Sequence, residues 1–464
     1  MAIRVTLINP PQFTRYPQPP MGLAQIAAVL ETGDYSVSVV DANALGLNPE
    51  EVAAYLTDTD VVGLTAMTPT INAAISIARA VKQASPELPV VLGGTHATLL
   101  PAETLASAPE IDIIVRGEGE AVFIDLLKTM ADKGELRHVP GISYHKDGGI
   151  IHNPIPTTKV ELDSLPFLAY HLLPRDKYRP HPPHGRSFPF AAVITSRGCP
   201  YHCSYCSKPI GGTKFRGQSP ERVIAEIAHN MTDFGVREIA FYDDVFTLNA
   251  RRARAIAEGI LSRNLKIPWT CETRVNLVDK ELLNLLRRAG CYAIAYGIES
   301  ASPEILSSIS KDITLEQIDE AVAITREAGL QTIGYFMIGS PGETPETITE
   351  TINFARRLKL DFAQFSITTP FPGTELYRLY LKDNAHRPVD WENFTYASLG
   401  KKPVPLFESE QLKQADLQRY VGRAYREFYL RPAYVWQRLR QVRSLGDLQF
   451  NLRGIAMLAQ SIKP

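Results

Sequence analysis

Two successive runs of alternating strand and helix patterns constrain the fold of this 464-residue chain more than any other feature of its sequence. In the first run, residues 1–149, short β-branched apolar segments alternate with segments of helical periodicity. Near-continuous apolar strands between amphipathic helices are typical of a parallel sheet covered on both faces. The predicted strands are Ile3–Asn9, Tyr35–Asp41, Asp60–Ala66, Pro89–Gly93 and Asp112–Arg116. The chain is therefore predicted to be an α/β protein.

Five strands of this kind predict a flavodoxin-like (Rossmann-type) doubly wound domain over residues 1–149. Such a domain binds its ligands beyond the carboxyl ends of its strands, so the loops at those ends are its candidate binding loops. They cover residues 9–21, 65–70, 93–101 and 116–120.

The second run, residues 191–380, contains six further strand and helix units. That number predicts a partial (β/α)6 barrel, an open relative of the eight-unit barrel, with its chemistry at the carboxyl ends of the strands. Residues 150–190 contain eight prolines, which predicts a linker or wrap-around segment without long regular elements. Residues 381–464 are predicted to form a small, mainly helical C-terminal region.

Charge and cysteine content exclude several classes of function. With 49 basic and 50 acidic residues, the chain has no bulk field to recruit nucleic acid. No segment approaches the roughly 20 apolar residues of a membrane span. A strand-like run begins almost at Met1 and leaves no room for a leader, so a cytoplasmic protein is expected. Three of the five cysteines fall within eight positions, which indicates metal or redox chemistry in a reducing compartment.

The clustered cysteines lie in the segment Thr195-Ser-Arg-Gly-Cys199-Pro-Tyr-His-Cys203-Ser-Tyr-Cys206, directly after the first strand of the second run. Thiolates at these spacings can wrap a compact iron–sulfur cluster and leave one iron without a protein ligand. A structural zinc site would need His202 as its fourth ligand from inside the turn. Zinc and a chance grouping of thiols are therefore the weaker alternatives.

With Tyr205 directly before the last cysteine, this arrangement resembles the radical S-adenosylmethionine superfamily and its CxxxCxxC motif. The resemblance implies a four-iron four-sulfur cluster on Cys199, Cys203 and Cys206. It further implies that the amino and carboxylate groups of S-adenosylmethionine chelate the open iron. Reductive cleavage would then give a 5'-deoxyadenosyl radical that abstracts hydrogen from an unactivated carbon. The protein's task would be to bind, orient and exclude water.

Charged residues near the ends of the next two strands are candidate ligands of S-adenosylmethionine. Asp243 and Asp244 offer carboxylates to its ammonium group, with Asp243 the preferred residue, and helix capping is the competing interpretation. Arg274 offers a bidentate partner to its carboxylate, against an ordinary salt bridge with Glu272 or Glu299.

The ends of the fourth and fifth strands, Gly297-Ile-Glu299-Ser300 and Ile338-Gly339, resemble superfamily elements that hold the ribose and adenine. The resemblance implies contacts from Tyr205, Glu299, Ser300, Ile338 and Gly339 to the nucleoside. Taken alone, each glycine could simply mark a turn.

A flavodoxin-like domain before such a barrel resembles the cobalamin-binding-domain branch of the superfamily, both its class B methyltransferases and its anaerobic cyclases. The resemblance implies a cobalamin-binding domain. The implied contacts are Asn9, Pro10, Pro11, Met21, Gly22, Thr65, Met67, Thr68, Gly93, Gly94, His96, Gly117 and Glu118.

The sequence lacks the Asp-x-His-x-x-Gly pattern that supplies a lower axial histidine to cobalt in other cobalamin domains. Cobalamin is therefore expected to bind without a histidine ligand, with the loop Thr65–Thr68 facing the lower side of the corrin. His96 lies in a ligand-facing loop, but a packing role is the commoner fate of such a residue.

The function implied is activation of a C–H bond followed by C-methylation of a small-molecule or lipid substrate. The alternative is a non-methylating radical reaction, such as ring formation, dehydration or rearrangement, on a lipid, tetrapyrrole or natural-product intermediate, without cobalamin or with cobalamin in a redox role. An iron–sulfur electron carrier or redox sensor is a hypothesis of another class. The expected electron donor is a reductase, flavodoxin or ferredoxin.

Arginines and aromatic residues interleave between Arg423 and Arg443. They predict either peripheral membrane contact through basic amphipathic helices or a solvated helix face. Substrate identity and oligomeric state do not follow from the sequence.

Overall fold

The computed structural model describes residues 2–441 and 454, apart from 13, 15, 181–182, 385–388, 396–406 and 409–410. Its strands are β1 Ile3–Asn9, β2 Tyr35–Asp41, β3 Val61–Thr65, β4 Val90–Gly93, β5 Ile113–Val115, β6 Ile142–Lys146, β7 Gly149–His152, β8 Phe190–Val193, β9 Ser196–Arg197, β10 Arg216–Gly217, β11 Glu238–Phe241, β12 Trp269–Thr273, β13 Cys291–Glu299, β14 Gln331–Ile338 and β15 Phe362–Ile367.

Helices connect these strands. They are α1 Met21–Glu31, α2 Ala42–Leu45, α3 Pro49–Ala53, α4 Ile71–Ala84, α5 Thr95–Leu99, α6 Pro101–Ser107, α7 Gly119–Ala131, α8 Pro220–Phe234, α9 Ala250–Ser262, α10 Lys280–Arg288, α11 Pro303–Ser308, α12 Leu315–Glu327, α13 Pro345–Arg357, α14 Glu375–Asn384, α15 Gln414–Tyr429 and α16 Pro432–Gln441.

The first sheet has the order β2-β1-β3-β4-β5-β6-β7, and its first five strands run parallel. This is the flavodoxin-like order, which confirms the predicted fold class. Helices cover both faces because each presents an apolar stripe. In α4, for example, the buried residues recur at helical spacing: Ile71, Ala74, Ile77, Ala78 and Val81.

Two antiparallel strands, β6 and β7, extend this sheet beyond the five that the sequence analysis predicted. Asp147 and Gly148 form the connecting turn with φ values of 50° and 77°. An Asp-Gly pair between alternating apolar residues is a strong hairpin signal. The signal was present, and the hairpin was missed because its outer strand is mostly exposed.

The second sheet contains six parallel strands in the order β15-β14-β13-β12-β11-β8, which confirms the predicted partial barrel. Its helices pack on one face, where Cys271, Tyr296 and Phe336 belong to the main apolar core. Alternate residues of the same strands, including Ala295 and Tyr335, point to the opposite, concave face. We call the space on that face the lumen.

Helix α15 covers the outer edge of β15. The amide of Phe365 donates to the Tyr425 hydroxyl at 3.2 Å, and the Tyr429 hydroxyl accepts from the Ala363 amide at 3.0 Å and donates to the Ala363 carbonyl at 2.8 Å. Phe428 packs into the core beneath them. The aromatic residues between the arginines therefore seal an open strand edge.

The segment after the hairpin wraps between the two sheets. Tyr170 donates to the carbonyl of Ala192 in β8 at 2.5 Å, and Tyr178 donates to Asp41 in the first domain at 2.8 Å. Gln25 of α1 donates to the carbonyl of Pro166 at 3.1 Å. The proline-rich segment thus contacts both sheets through specific hydrogen bonds.

The predicted C-terminal region falls partly outside the described residues, including Arg443 and the side chain of Arg440. Within the described ranges, no helix is both long and apolar enough to span a bilayer.

Candidate functional site

A cavity of about 560 Å³ opens where the carboxyl ends of the two sheets approach each other. The first domain contributes loops after β3, β4 and β5, and the barrel contributes the segment around the cysteine motif. Its lining includes Met21, Gly22, Thr65, Met67, Gly93, Gly94, Gly117, Glu118, Glu120, Phe123, Arg197, Gly198, Lys208, Gln218, Glu226, Tyr242 and Asp244. Binding loops predicted separately for the two domains therefore share one cavity.

The cysteine loop lies between the short antiparallel strands β9 and β10. Cys199 is buried, Cys203 is half-buried and Cys206 is exposed. The Lys208 ammonium donates to the carbonyls of Cys199, at 3.2 Å, and Tyr201. The backbone of the loop is thus held by a cation while its thiols remain unbonded to one another.

Two neighbouring segments also hold this loop. The Ser204 amide donates to the carbonyl of Ile309 at 3.0 Å, and the Leu376 amide donates to the carbonyl of Ser204 at 3.1 Å. Because the backbone is fixed from several sides, its thiols are presented by a defined loop rather than by a free segment.

The donor set fits an iron–sulfur cluster. The three thiols follow one another on one loop at the spacing that cluster ligands use. Arg274 Nη1 lies 3.6 Å from the Cys203 sulfur, where a cation stabilises thiolate charge. Within the described ranges, no three His, Cys, Asp or Glu side chains converge as ligands of one metal ion.

Adjacent carboxylates at the end of β11 have different surroundings. Asp243 is 1% exposed and accepts from the Thr195 amide at 2.9 Å and from the hydroxyls of Thr195 and Ser196. Asp244 lines the cavity, where the Gly198 amide and the Lys208 ammonium oppose the rise in its pKa caused by burial. The structure therefore places Asp244, and not the preferred Asp243, where a ligand ammonium could reach it.

Arg274 is 4% exposed and lies at the end of β12. Its guanidinium stacks 3.7 Å above the Tyr201 ring and donates to the Lys311 carbonyl. Lys311 is the cation that pairs with Glu299, at 2.8 Å. The arginine thus adjoins the cysteine loop.

Glu299, Lys311 and Tyr205 form a buried network that the sequence analysis missed. Tyr205 donates to Glu299 Oε1 at 3.0 Å, and Lys311 Nζ lies 3.0 Å from the Tyr205 oxygen. Glu299 has a φ of 69°, an uncommon conformation for a non-glycine residue. The network joins the end of β13 to the residue before Cys206.

The remaining candidates of the barrel are buried at strand ends. Ser300 lies 3.3 Å from the Thr351 hydroxyl, and Ile338 is fully buried. Glu343 accepts from the amides of Gly339 and Ser340, and burial raises its pKa to about 7. These contacts order the turn after β14.

On the first domain, eight of the predicted cobalamin contacts line the cavity: Met21, Gly22, Thr65, Met67, Gly93, Gly94, Gly117 and Glu118. Asn9, Pro10, Pro11, Thr68 and His96 are outside this lining. Asn9 donates to the buried Asp41 at 2.8 Å, so it orders the end of β1.

His96 is 2% exposed and lies 3.3 Å from the Thr68 hydroxyl. The edge of its ring contacts Trp391 with 4.8 Å between ring centroids, and burial lowers its pKa to about 4. These contacts are those of a packing histidine in the described structure.

The cavity fits a corrinoid. Gly94 has a φ of 94°, and a Cβ there would lie 2.6 Å from the Ala66 carbonyl oxygen, so only glycine lets the loops after β3 and β4 pack together in the cavity wall. Leu7, Val91 and Phe123 supply an apolar wall. Glu118 Oε2 is buried without a hydrogen-bond partner in the described residues, and a corrin periphery carries amide donors.

A second polar cluster, also missed, lies in the lumen. Tyr335 on β14 donates to Glu272 on β12 at 3.0 Å, and its hydroxyl is 2.8 Å from His184 Nε2. Burial raises the Glu272 pKa to about 7, and nearby Asp244 adds to that effect. Glu272 lies in β12 and Arg274 directly follows that strand, so the lumen cluster adjoins the cysteine loop.

A cysteine loop at the mouth of an open parallel barrel, with its flanking residues in a cavity shared with a doubly wound domain, defines a class of iron–sulfur enzymes with a second cofactor domain. The Radical SAM superfamily model matches residues 193–355, and the B12 binding domain model matches residues 14–127.

An uncharacterized methyltransferase of Pyrococcus horikoshii, PH0819, is 37% identical over 417 residues, covering 89% of this chain and 88% of the relative. An anaerobic magnesium-protoporphyrin IX monomethyl ester cyclase of Rubrivivax gelatinosus is 31% identical over 427 residues, covering 90% and 75%. The chain belongs to the cobalamin-dependent radical S-adenosylmethionine enzyme family.

A solved structure of the methyltransferase TsrM from Kitasatospora setae matches with a TM-score of 0.70 at 21% identity, covering 84% of this chain and 76% of that one. This likeness shows the fold. As a family member, the protein is an enzyme that uses a four-iron four-sulfur cluster, S-adenosylmethionine and cobalamin. It requires a reductant and acts on a small-molecule substrate.

Proposed function

We propose that this enzyme methylates an unactivated carbon of a small molecule that binds between the corrinoid domain and the barrel. The observation that carries this proposal is the shared cavity, in which the backbone loops of one sheet face the cysteine loop of the other. That arrangement lets a methyl carrier and a radical source reach one substrate from two sides.

When bound, the cluster and S-adenosylmethionine supply a carbon radical that removes a hydrogen atom, and cobalamin supplies the methyl group. Cys199, Cys203 and Cys206 would hold the cluster. Asp244 would accept from the ammonium of S-adenosylmethionine, and Arg274 would neutralise charge beside Cys203. The remaining walls exclude water from the reacting groups.

Other residues would complete the S-adenosylmethionine site by orienting its side chains and shaping its walls. Tyr205 and Glu299 would face the nucleoside while Lys311 fixes both side chains. Ser300, Ile338 and Gly339 would shape the walls around it through their buried strand-end contacts. Asp243 would act indirectly, because its carboxylate orders Thr195 and Ser196 before the cysteine loop.

The lumen cluster indicates the chemistry of the substrate. Glu272 is 31% exposed on its side chain, so it can accept a hydrogen bond from a ligand. Ile333 and Phe362 make the neighbouring wall apolar. We therefore infer an amphipathic substrate with a hydroxyl or amine at its polar end. Two relatives are named as an anaerobic magnesium-protoporphyrin IX monomethyl ester cyclase and as a hopanoid C-3 methylase.

A flavodoxin, a ferredoxin or their reductase is the proposed electron donor in a cytoplasmic setting. Membrane contact through α15 has less support, because its Tyr425 and Tyr429 face β15. Arg431 and Arg438 also lie over the rings of Phe428 and Phe362.

The experiment uses anaerobic holoenzyme with S-adenosylmethionine that carries a deuterated methyl group, and candidate substrates in alcohol and methyl-ether pairs. Methyl transfer predicts a product with the deuterated methyl group, together with S-adenosylhomocysteine and 5'-deoxyadenosine. A product without the label, accompanied by 5'-deoxyadenosine alone, would contradict methylation and favour the cyclase-type reaction. Turnover of the ether as fast as the alcohol would contradict the role of the lumen cluster.

A further inference from the structure

Four charged side chains join the first domain to the base of the cysteine loop, and we call Glu118, Glu120, Arg197 and Arg216 the inter-domain bridge. Arg197 lies 2.5 Å from Glu120 and 3.3 Å from Glu118, and Arg216 pairs with the same oxygen of Glu118. The Glu118 and Glu120 side chains are 5% and 7% exposed. Salt screens buried pairs of this kind much less than surface pairs.

The bridge connects two loops that serve different cofactors. Arg197 and Arg216 are cross-strand partners in β9 and β10, the two-stranded stem of the cysteine loop. Arg197 precedes Cys199 by two residues. Glu118 is the N-cap residue of α7, Glu120 lies in the first turn of that helix, and both line the cavity on the corrinoid side. The positions of these carboxylates are therefore tied to the stem through their ion pairs with the two arginines.

One atom of the bridge still needs a partner. Glu118 Oε1 accepts a hydrogen bond from Arg216 and forms an ion pair with Arg197, whereas Oε2 is buried and has no hydrogen-bond partner in the described part of the chain. A buried acceptor without a donor is costly, so a ligand that brings an N–H group is favoured at this position. The amide side chains of a corrinoid are such donors.

We propose that the inter-domain bridge couples corrinoid binding to S-adenosylmethionine binding. A corrinoid amide on Glu118 fixes the carboxylate, the carboxylates fix the two arginines, and the arginines position the stem of the cysteine loop. These are positioning residues, since they act through the loop. The inference rests on the cofactors of the family and not on the methyl transfer proposed above.

Coupling of this kind is reciprocal, so it can be measured from either side. The experiment uses anaerobic protein with its cluster intact and measures the Kd of S-adenosylmethionine with and without hydroxocobalamin. It then measures the Kd of hydroxocobalamin with and without S-adenosylmethionine. We expect each ligand to tighten the other by the same factor, about fivefold or more. The electron paramagnetic resonance signal of the reduced cluster should also change with hydroxocobalamin.

Variants of the bridge should remove the coupling while leaving both ligands able to bind. Glu120→Gln is expected to bring the factor toward one, because Arg197 then keeps only its longer pair with Glu118. Arg216→Gln, which breaks the pair with Glu118, should lower the coupling factor in the same way. If one of the two variants loses its cluster, the other still tests the proposal. Glu327→Gln, which breaks the exposed pair with Lys280, is the matched control.

Two outcomes would overturn the proposal. One is equal affinity for S-adenosylmethionine with and without hydroxocobalamin in the parent protein. The other is a coupling factor in the bridge variants that equals the parent's. Both outcomes are read from dissociation constants and do not depend on product formation. A failure of the proposed methylation would therefore leave this test unaffected.

Discussion

The two parallel sheets present their strand carboxyl ends to the same cavity, but they line it with different chemistry. The first domain offers backbone and small or apolar residues, such as Gly94 and Thr65, with Glu118 and Glu120 as its charged groups. The barrel offers the charged groups of Asp244, Lys208 and Arg197, and the last two flank the cysteine loop. The first surface suits a large flat ligand recognised by shape, and the second suits a small charged ligand and a metal cluster.

This difference predicts that the two sides can be disabled independently, and the largest effect is expected on the barrel side. Cys203→Ser should remove the cluster and bring cleavage of S-adenosylmethionine to background, because an iron loses its thiolate ligand. Iron content and 5'-deoxyadenosine are the measurements. Cys271→Ala, which changes a buried thiol on the outer face of β12, should retain both. Full cleavage by Cys203→Ser would contradict the assignment.

The next largest effect is expected on the corrinoid side. Gly94→Ala should weaken hydroxocobalamin binding about tenfold or more. The strained backbone conformation of the alanine costs about 1–3 kcal/mol, and its Cβ would clash with Ala66 and shift the loop there. Corrinoid-free cleavage of S-adenosylmethionine should be unchanged. Gly46→Ala is the matched control, because Gly46 has a φ of 70° but no atom within 4 Å of an added Cβ. Equal effects of the two variants would show that strain alone is responsible.

A third prediction concerns Glu226, a buried carboxyl in the cavity wall contributed by the barrel. Burial raises its pKa from 4.5 to about 7, so the folded protein binds this proton more tightly than the unfolded chain does. Its stabilising contribution is complete below about pH 4.5 and is lost as the pH rises through about 7.

Glu226→Gln should therefore match the parent near pH 4.5 and exceed its free energy of unfolding by up to about 3 kcal/mol at pH 8. Thermal unfolding of anaerobic protein across this range is the measurement. A difference between variant and parent that stays constant with pH would contradict the prediction.

The smallest effect is expected at the sheet edges, where the two domains also differ. The first sheet ends in a hairpin, whereas β15 is sealed by hydroxyls of α15. Tyr429→Phe leaves the Ala363 amide and carbonyl without this partner and should cost about 1 kcal/mol in unfolding free energy. Chemical denaturation at fixed pH measures it. A cost near zero would mean that water replaces the hydroxyl.

The parallel strands of both sheets were predictable because buried parallel strands are near-continuous apolar runs. The choice between Asp243 and Asp244 was not, because it depends on Thr195 folding back onto one of two adjacent carboxylates. Lys311 was missed for a similar reason. It lies twelve residues after Glu299 and meets Tyr205, 106 residues away, only in the folded chain.

The lumen cluster shows the same limit. His184 comes from the proline-rich segment and meets Tyr335, 151 residues later, on the opposite side of the sheet from the helices. Strand alternation could have placed Glu272 and Tyr335 on one face. Nothing in the local sequence indicates that the preceding segment supplies their third partner.

The wrap-around segment has a consequence for how this family can be recombined. Tyr178 bonds a residue of the first domain, Tyr170 bonds a barrel strand, and the segment between Pro166 and Tyr178 therefore belongs to both. A chimera that exchanged the first domain alone would separate Asp41 from the Tyr178 hydroxyl and Gln25 from the Pro166 carbonyl. A working exchange would have to move the first domain together with the wrap-around segment. The part of the chain that belongs to the corrinoid domain is therefore longer than its sheet.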